Sequence, residues 1–164
     1  MKDRGPGVMM SQRTYRIEAY TSAYRSAFKD INLYWLEKYH LTETPDLQVL
    51  DDPEGTILAR GGFIWLALVG NGVVGSAALL KEHEGIFELA KMAVAPEWQG
   101  KGIAAQLLET CISKAIENHA TKLVLYSNHQ LTAALKLYER FGFTYVPIEN
   151  SPFKTADIMM QRLM

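Results

Sequence analysis

Two glycine-rich stretches of this sequence have the composition of loops that bind phosphate groups. Residues 70–75 read Gly-Asn-Gly-Val-Val-Gly, a literal G-x-G-x-x-G, and residues 99–102 read Gln-Gly-Lys-Gly. Each stretch follows an apolar run of the kind that forms a β-strand. Because backbone amides at the start of a helix bind anions, such a loop makes a phosphate site where a helix follows it. The chemistry of the chain therefore depends on which stretch opens a helix.

Residues 70–75 favour a β-hairpin over a dinucleotide site. The stretch 76–85 is about ten residues long, too short for a crossover helix before the next strand signal. The nearby acidic residues also come earlier than the position about twenty residues on that a dinucleotide fingerprint requires. Asn71-Gly72 is the favoured central pair of a type I′ turn, because both positions require positive φ. The sequence predicts a hairpin, with a nicotinamide-dependent oxidoreductase as the alternative.

Residues 99–102 have the composition of an anion cradle. A strand-type run and a loop marked by Pro96 precede them, and a long amphipathic pattern that predicts a helix follows. Gly100 and Gly102 carry no side chain, so an anion can approach their backbone closely. The first amides of the helix lack intrahelical partners and carry the positive end of its dipole. This is not a Walker A loop, since Gly102 follows Lys101; an ordinary glycine-rich helix start is the alternative.

The elements around these stretches predict one mixed sheet with helices on its faces, of α/β or α+β type. Strand patterns run over 13–21, 62–69, 73–81, 86–94, 121–127, 143–146 and 156–163. Helix patterns run over 23–40, within 42–55, from 103 onward and over 132–143. A single domain is expected over 13–164, and residues 1–12 are expected to be a disordered tail or a vector-derived remnant.

Composition and charge narrow the classes of function. The 164 residues include 17 Lys and Arg against 18 Asp and Glu, a balance that gives no support for nucleic-acid or membrane-surface binding. The uncharged run over 62–80 contains clustered glycines, which fit a hairpin better than a membrane-spanning helix. The lone Cys111 allows no intramolecular disulfide and favours a reducing, cytoplasmic location. The four histidines show no metal-ligand spacing, so no metal is expected.

Two longer segments resemble one enzyme family. Residues 88–109 resemble the acetyl-CoA-binding segment of the GNAT superfamily of N-acetyltransferases, whose Q/R-x-x-G-x-G/A motif is matched by Gln99, Gly102 and Ala104. Residues 134–143 resemble the helix after the fifth strand of that family, which usually ends in Leu-Tyr-x-x-x-Gly-Phe. The segments occur in the family's order, and the predicted elements match its fold from about residue 13 to the C-terminus.

The resemblance implies a fold, a cosubstrate and a set of contacts. The implied fold is GNAT-like, a mostly antiparallel sheet in which central strands near 86–94 and 121–126 splay apart and admit acetyl-CoA. Backbone groups expected to contact the pantetheine arm and the thioester carbonyl are those of Met92, Ala93 and Val94. Main-chain amides expected to hold the pyrophosphate are those of Gln99, Gly100, Lys101, Gly102, Ile103 and Ala104.

Two side chains have the chemistry that acetyl transfer to an amine requires, namely a base for the ammonium and a proton donor for the thiolate. Glu88 lies on the strand face of Ala90 and Met92, where the family often places a carboxylate base. Tyr138 is the candidate acid, because a phenol of pKa about 10 keeps its proton at neutral pH and can donate it, or a hydrogen bond, to the departing thiolate, whose thiol has a pKa of about 8.5. A substrate-binding or structural glutamate and a core tyrosine are the alternatives.

Three other residues leave alternatives open. Many relatives carry Asn seven positions before the helix tyrosine, where this chain has Leu131, so the nearby Asn128 is expected either to cap the helix or to contact the cofactor. Lys91 is expected on the strand face opposite Glu88, either solvated or paired. Trp35, in the first helix pattern, is expected to line the acceptor side or to belong to the core.

The predicted function is N-acetylation of a primary amine by direct attack in a ternary complex with acetyl-CoA. The expected acceptor is a small molecule or an amino acid, with a protein or peptide amine as the alternative. A non-catalytic acyl-CoA-binding sensor is a third hypothesis, against which the presence of both Glu88 and Tyr138 argues. No nucleic-acid or membrane partner is expected, and a homodimer is left open.

Overall fold

The computed structural model describes residues 14–164, in which seven strands form one sheet. The strands are β1 (Arg16–Ala19), β2 (Phe63–Val69), β3 (Gly72–His83), β4 (Ile86–Val94), β5 (Lys122–Ser127), β6 (Thr144–Val146) and β7 (Ile158–Leu163). Their order across the sheet is β1-β2-β3-β4-β5-β7-β6. All neighbouring pairs are antiparallel except β4 and β5, which are parallel. The tail predicted at 1–12 lies outside the described residues.

Five α-helices connect the strands. They are α1 (Arg25–Lys38), α2 (Thr44–Asp51), α3 (Pro53–Thr56), α4 (Ile103–Glu117) and α5 (Thr132–Arg140), with 3-10 turns at Ser22–Tyr24, Leu58–Arg60 and Pro96–Trp98. The short helix predicted within 42–55 is split in two by Asp52, whose side chain accepts a hydrogen bond from the amide of Gly55 and caps α3.

The helices cover both faces of the sheet, because side chains alternate between the faces along each strand. On one face, Phe28 of α1 and Leu50 of α2 pack against residues of β2 and β3 that include Ile64, Leu66, Leu68 and Ala78. On the other face, α4 and α5 pack against Ala67, Leu79, Phe87, Leu89, Leu123 and Leu125. This arrangement confirms the predicted mixed sheet with helices on both faces.

Helix α4 is anchored by a stripe of buried side chains at helical spacing. Ile103, Leu107, Leu108 and Cys111 are each at most 1% exposed. Burying a side chain of Leu or Ile size contributes about 1.5–3 kcal/mol. Because Ile103 is the first residue of the helix, this stripe fixes the position of its N-terminus, and Cys111 lies in the core.

The stretch 70–75 forms the predicted hairpin, but the turn differs in detail. Val69 pairs with Gly72, so the two loop residues are Gly70 and Asn71 rather than Asn71 and Gly72. Of these two, Gly70 alone has positive φ, at 59°. Glycine with positive φ at the first loop position is the mark of a type II′ turn, so the predicted type I′ turn was wrong by one position. No helix follows the stretch, which excludes the dinucleotide site.

The parallel pair at the centre of the sheet separates soon after it forms. Only Ile86, Phe87 and Glu88 of β4 pair with β5, opposite Lys122, Leu123 and Val124. Beyond Glu88 the two strands diverge, and this gap between β4 and β5 is called the splay below. It confirms the splayed strand pair that the family resemblance implies.

Two further properties of residues 14–164 bear on the predicted partners. No helix in this range is both long and apolar enough to cross a membrane. The same residues contain no group of three or more His, Cys, Asp or Glu side chains placed to hold a metal ion.

Candidate active site

A cavity of about 650 Å³ opens from the splay. Its walls are β4, β5, the start of α4, helix α5, helix α1 and residues 153–156. All the residues predicted for the site line this cavity except Lys101, whose ammonium lies 5.8 Å from the centre of the Trp98 ring. The sequence thus predicted residues that the fold brings together, although their individual roles remain predictions.

Glu88 lies at the point where β4 and β5 begin to separate. It is paired with Val124 in the last register pair and is 5% exposed. Burial, followed by the nearby Glu82 carboxyl group, raises the pKa of Glu88 to about 8. The charge of Asp46 acts in the same direction, and the charge of Lys91 acts in the opposite one. A carboxyl group with this pKa is partly ionised near neutral pH and can accept a proton there.

A β-bulge interrupts β4 three residues after Glu88. Ala90 pairs with Ala78 but Ala93 pairs with Ser76, so β4 has one residue more than β3 at this point. Lys91 in the bulge has a φ of 53°. Its carbonyl accepts a hydrogen bond of 2.7 Å from the Ser76 hydroxyl, which in turn accepts one of 3.0 Å from the Asn32 side chain on α1. This buried chain of polar groups stabilises the bulge.

The bulge corrects the expected direction of Lys91. Simple alternation along a regular strand placed its side chain opposite Glu88, but both side chains line the same cavity. The Lys91 ammonium lies 2.7 Å from the Asp46 carboxylate, and the two side chains are 7% and 4% exposed. The ammonium is also 5.4 Å from the centre of the Phe153 ring. Lys91 is therefore paired, as one alternative expected, but inside the cavity.

The loop before α4 presents free backbone groups to the cavity. Gly100 and Gly102 have φ of 76° and 81°, which favour glycine, and a Cβ built on either would meet no atom within 4 Å. The amides of the first turn of α4 have no intrahelical partner. The carbonyl of Gly102 accepts the first helical hydrogen bond, from the amide of Gln106 at 3.0 Å. This open loop at a fixed helix start has the geometry of an anion site.

The edge of β4 that faces the splay has no partner strand after Glu88. Apart from the Val94 carbonyl, backbone groups of residues 89–94 on that side are therefore available to an extended ligand, in the manner of strand addition. The indole N–H of Trp35 donates a 2.8 Å hydrogen bond to the carbonyl of Val94 and holds α1 against this edge. Trp35 lines the cavity, in agreement with one of its two expected positions.

Tyr138 projects from α5 toward the same cavity. Its side chain is 7% exposed and its ring packs 5.9 Å from that of Phe143. Burial raises the pKa of the phenol above its usual value, so the hydroxyl keeps its proton over the physiological range. In the part of the chain that the structure describes, this hydroxyl makes no hydrogen bond, which leaves it free to donate to a ligand.

Asn128 has structural contacts of its own. Its side-chain amide donates a 2.8 Å hydrogen bond to the carbonyl of Thr155, and its side-chain oxygen accepts bonds from the backbone and side chain of Gln130. Asn128 therefore ties the end of β5 to the segment that covers the cavity. It also lines the cavity, and its contact with a cofactor remains a prediction.

Sequence reasoning missed the acidic residues at the start of α2. Asp46 accepts a 2.9 Å hydrogen bond from the amide of Glu43, and the Glu43 carboxylate accepts bonds from the amides of Lys154 and Thr155. The reciprocal capping of α2 by Glu43 and Asp46 is a local signal that spacing can reveal. The bonds to residues more than 100 positions away in the chain have no such signal.

Known proteins that resemble this chain in sequence or in structure are acetyltransferases. The family model described as "Acetyltransferase (GNAT) domain" matches residues 60–145. N-acetylaspartate synthetase from Xenopus tropicalis is 37% identical over 89 residues, which cover 54% of this chain and 33% of that protein. A GNAT family acetyltransferase from Staphylococcus aureus Mu50 has a TM-score of 0.84 at 20% identity, over 91% of this chain and 98% of that one. A GNAT family acetyltransferase from Elizabethkingia anophelis with acetyl-CoA bound has a TM-score of 0.67 at 25% identity, over 93% and 99%.

The chain spans about a third of the length of this curated relative. The family model and the solved structures confirm the predicted fold, the predicted class of enzyme and acetyl-CoA as the cosubstrate of that class. The family model covers more than half of the sequence. The chain belongs to the GNAT acetyltransferase domain family.

Proposed function

We propose that this chain transfers the acetyl group of acetyl-CoA to the primary amine of a small amino-acid-type acceptor, by direct attack in a ternary complex. The observation that carries the proposal is the position of Glu88, a buried carboxyl group where the splay begins, beside an unpaired strand edge. The similarity to a protein named N-acetylaspartate synthetase supports an acceptor of this type.

The cavity suits the cosubstrate in size and in chemistry. Its volume of about 650 Å³ lies within the range of small-molecule sites. The amides between Gln99 and Ala104 would hold the diphosphate, because glycines there leave the backbone open and the start of α4 is fixed by its buried stripe. The free edge of β4 over Met92–Val94 would bind the pantetheine arm and orient the thioester, which supplies the activated acetyl group.

Glu88 acts as the general base in this proposal. An amine attacks only as the free base, so its ammonium form must first lose a proton. A carboxylate whose pKa is about 8 is a much better proton acceptor than an exposed glutamate, since its basicity is closer to that of the amine. Burial thus prepares Glu88 for the proton transfer that an ordinary carboxylate would perform poorly.

Tyr138 acts as the proton donor to the departing thiolate in this proposal. The carbon–sulfur bond breaks as the amide forms, and negative charge develops on the sulfur. Because burial keeps the phenol of Tyr138 protonated, its hydroxyl can donate a hydrogen bond to that sulfur and stabilise the charge until the thiolate is protonated. A backbone amide of β4 near Val94 would stabilise the negative charge that develops on the carbonyl oxygen.

The test of this function is the release of free CoA from acetyl-CoA in the presence of a panel of amino acids, other small amines and peptides. Glu88→Gln should lower kcat/KM for the preferred amine by about 100- to 10,000-fold. Wild-type kcat/KM should rise with pH through about 8, as Glu88 loses its proton, and the variant should lack that limb. Glu84→Gln is the matched control, because Glu84 lies in the β3–β4 turn, four residues before Glu88, with a side chain that is 94% exposed.

Two results would contradict this assignment. Full activity in Glu88→Gln would remove Glu88 as the base. Tight binding of acetyl-CoA without release of CoA by any amine would identify an acyl-CoA-binding module instead of an enzyme, and release with peptides alone would redirect the proposal to a protein acceptor.

Tyr138→Phe is expected to lower kcat while leaving the affinity for acetyl-CoA nearly unchanged, since phenylalanine keeps the ring and its packing against Phe143. A loss of about 100-fold in kcat is the scale for a positioned proton donor. Steady-state kinetics and calorimetric binding of acetyl-CoA separate the two quantities. An unchanged kcat would show that Tyr138 is only a core aromatic.

A further inference from the structure

Lys91 is more deeply buried than the other cationic residues that line the cavity. Lys38 and Arg140 also line the cavity, but both are exposed residues at its rim. Lys91 has a side chain that is 7% exposed and lies three residues from Glu88 on the same strand. A charged ammonium this deeply buried is expensive unless its hydrogen-bond donors are satisfied.

We propose that Lys91 binds the carboxylate of the acceptor and thereby selects α-amino acids over simple amines. This inference rests on the proposed function and specifies the acceptor more narrowly. Lys91 would be a specificity-determining residue at the acceptor end of the cavity.

The hydrogen bonds around Lys91 leave room for such a ligand. An ammonium group has three donors. Among the described residues, Lys91 gives one of them to a carboxylate oxygen of Asp46, at 2.7 Å. The other oxygen of Asp46 accepts the amide of Glu43 at 2.9 Å, so Asp46 is held in place from both sides. Lys91 is thus fixed in direction and keeps donors for an anion in the cavity.

The relation of Lys91 to Glu88 fits the shape of an amino acid. An α-amino acid carries its amine and its carboxylate on the same carbon, so its base and its carboxylate-binding group must lie close together. The bulge turns Lys91 into the cavity that Glu88 also lines, and the charge of Lys91 is near enough to act on the ionisation of Glu88. A regular strand would have separated the two side chains onto opposite faces.

A purely structural role is the competing explanation, in which the pair only joins α2 to β4. The chain offers a matched comparison, because an aspartate near the other end of α2 forms a second Lys–Asp pair, with a lysine of α1. Asp51 lies 2.5 Å from the Lys29 ammonium of α1, but these side chains are 58% and 36% exposed, and neither lines the cavity. Lys29→Met therefore removes the same kind of pair without touching the cavity.

The experiment compares acceptors in pairs, each an α-amino acid and its α-amide, by the ratio of their kcat/KM values. Each variant is judged by how this ratio changes from wild type, which cancels the different amine pKa of acid and amide. Lys91→Met should reduce the preference for the acid by about 10- to 100-fold, the scale of lost hydrogen bonds to a charged group. Asp46→Asn should retain the preference, because Lys91 keeps its charge, and Lys29→Met should not change it.

The outcomes separate this inference from the proposed function. No release of CoA by any acceptor would defeat the proposed function itself. Release with an unchanged acid-to-amide ratio in Lys91→Met, or an equal loss of the ratio in Asp46→Asn, would overturn the role of Lys91 alone. If Lys91→Met does not fold, binding of the N-acetylated acid and its amide to the wild-type protein gives the answer. The acid should bind more tightly, and equal binding would refute the inference.

Discussion

Two glycine-rich segments of this protein each carry glycines with positive φ and differ in what surrounds them. Gly70 and Gly102 both have positive φ, and a Cβ on either would meet no atom within 4 Å. Gly70 turns β2 into β3, whereas Gly102 is followed directly by the unpaired amides of α4 at the edge of the cavity. Freedom of the backbone is therefore common to both, and the helix start and the adjoining cavity distinguish an anion site from a turn.

Gly75, the last residue of the first segment, is important for packing rather than for a turn or an anion site. A Cβ there would lie 3.0 Å from the side chain of Ile103 and 3.1 Å from that of Leu107. Gly75 thus lets α4 pack closely on β3 and helps to fix the helix whose start carries Gly102. The first segment contributes to the site through packing and the second through its exposed amides.

The largest effect that separates the two segments is expected from a glutamate at Gly102. Gly102→Glu should weaken the binding of acetyl-CoA by about 100-fold or more, because it places a carboxylate beside the proposed diphosphate position. Gly70→Glu is the matched control, with the same substitution at a similar φ and in equally open space. Calorimetric titration with acetyl-CoA measures both; similar losses in the two variants, or no loss in Gly102→Glu, would show that the cradle is misplaced.

A smaller effect is expected from adding a side chain at Gly75. Gly75→Val should lower the free energy of unfolding by about 1–3 kcal/mol, because its side chain would overpack against Ile103 and Leu107. Chemical denaturation monitored by circular dichroism measures this change. A variant as stable as wild type would mean that α4 does not depend on close packing at this position.

The smallest effect is expected at the hairpin turn. Gly70→Ala should cost about 1 kcal/mol of stability, since alanine must adopt a positive φ there, and acetyl-CoA affinity should not change. The same denaturation experiment, with a binding titration beside it, checks both expectations. A loss of affinity in this variant would contradict the separation of the two segments.

Local sequence patterns predict most of this fold because they depend on short-range physics. Apolar periodicity locates the strands and α4 to within a few residues, and the missing crossover length rejects the dinucleotide site at 70–75. The turn at Gly70 was misplaced by one residue because Asn71-Gly72 is itself a favoured turn pair, and the pairing of Val69 with Gly72 determined the outcome. The splay was implied by resemblance to a family and has no signal in composition.

The acceptor end of the cavity is where prediction from the sequence fails. A bulge at Lys91 depends on the buried hydroxyl of Ser76, in another strand, and on Asn32 in α1. The partner of Lys91 is Asp46, which lies 45 residues away in the chain. Such contacts follow from tertiary packing, so periodicity alone placed Lys91 on the wrong face.

We propose that the amides before α4 and the free edge of β4 hold the cosubstrate with its sulfur in the splay. A crystal structure of the protein with CoA tests this most directly. We expect the diphosphate within hydrogen-bond distance of the amides between Gln99 and Ala104, and the sulfur between β4 and β5 near Glu88 and Tyr138. CoA bound outside the splay, with those amides in contact with solvent, would contradict it.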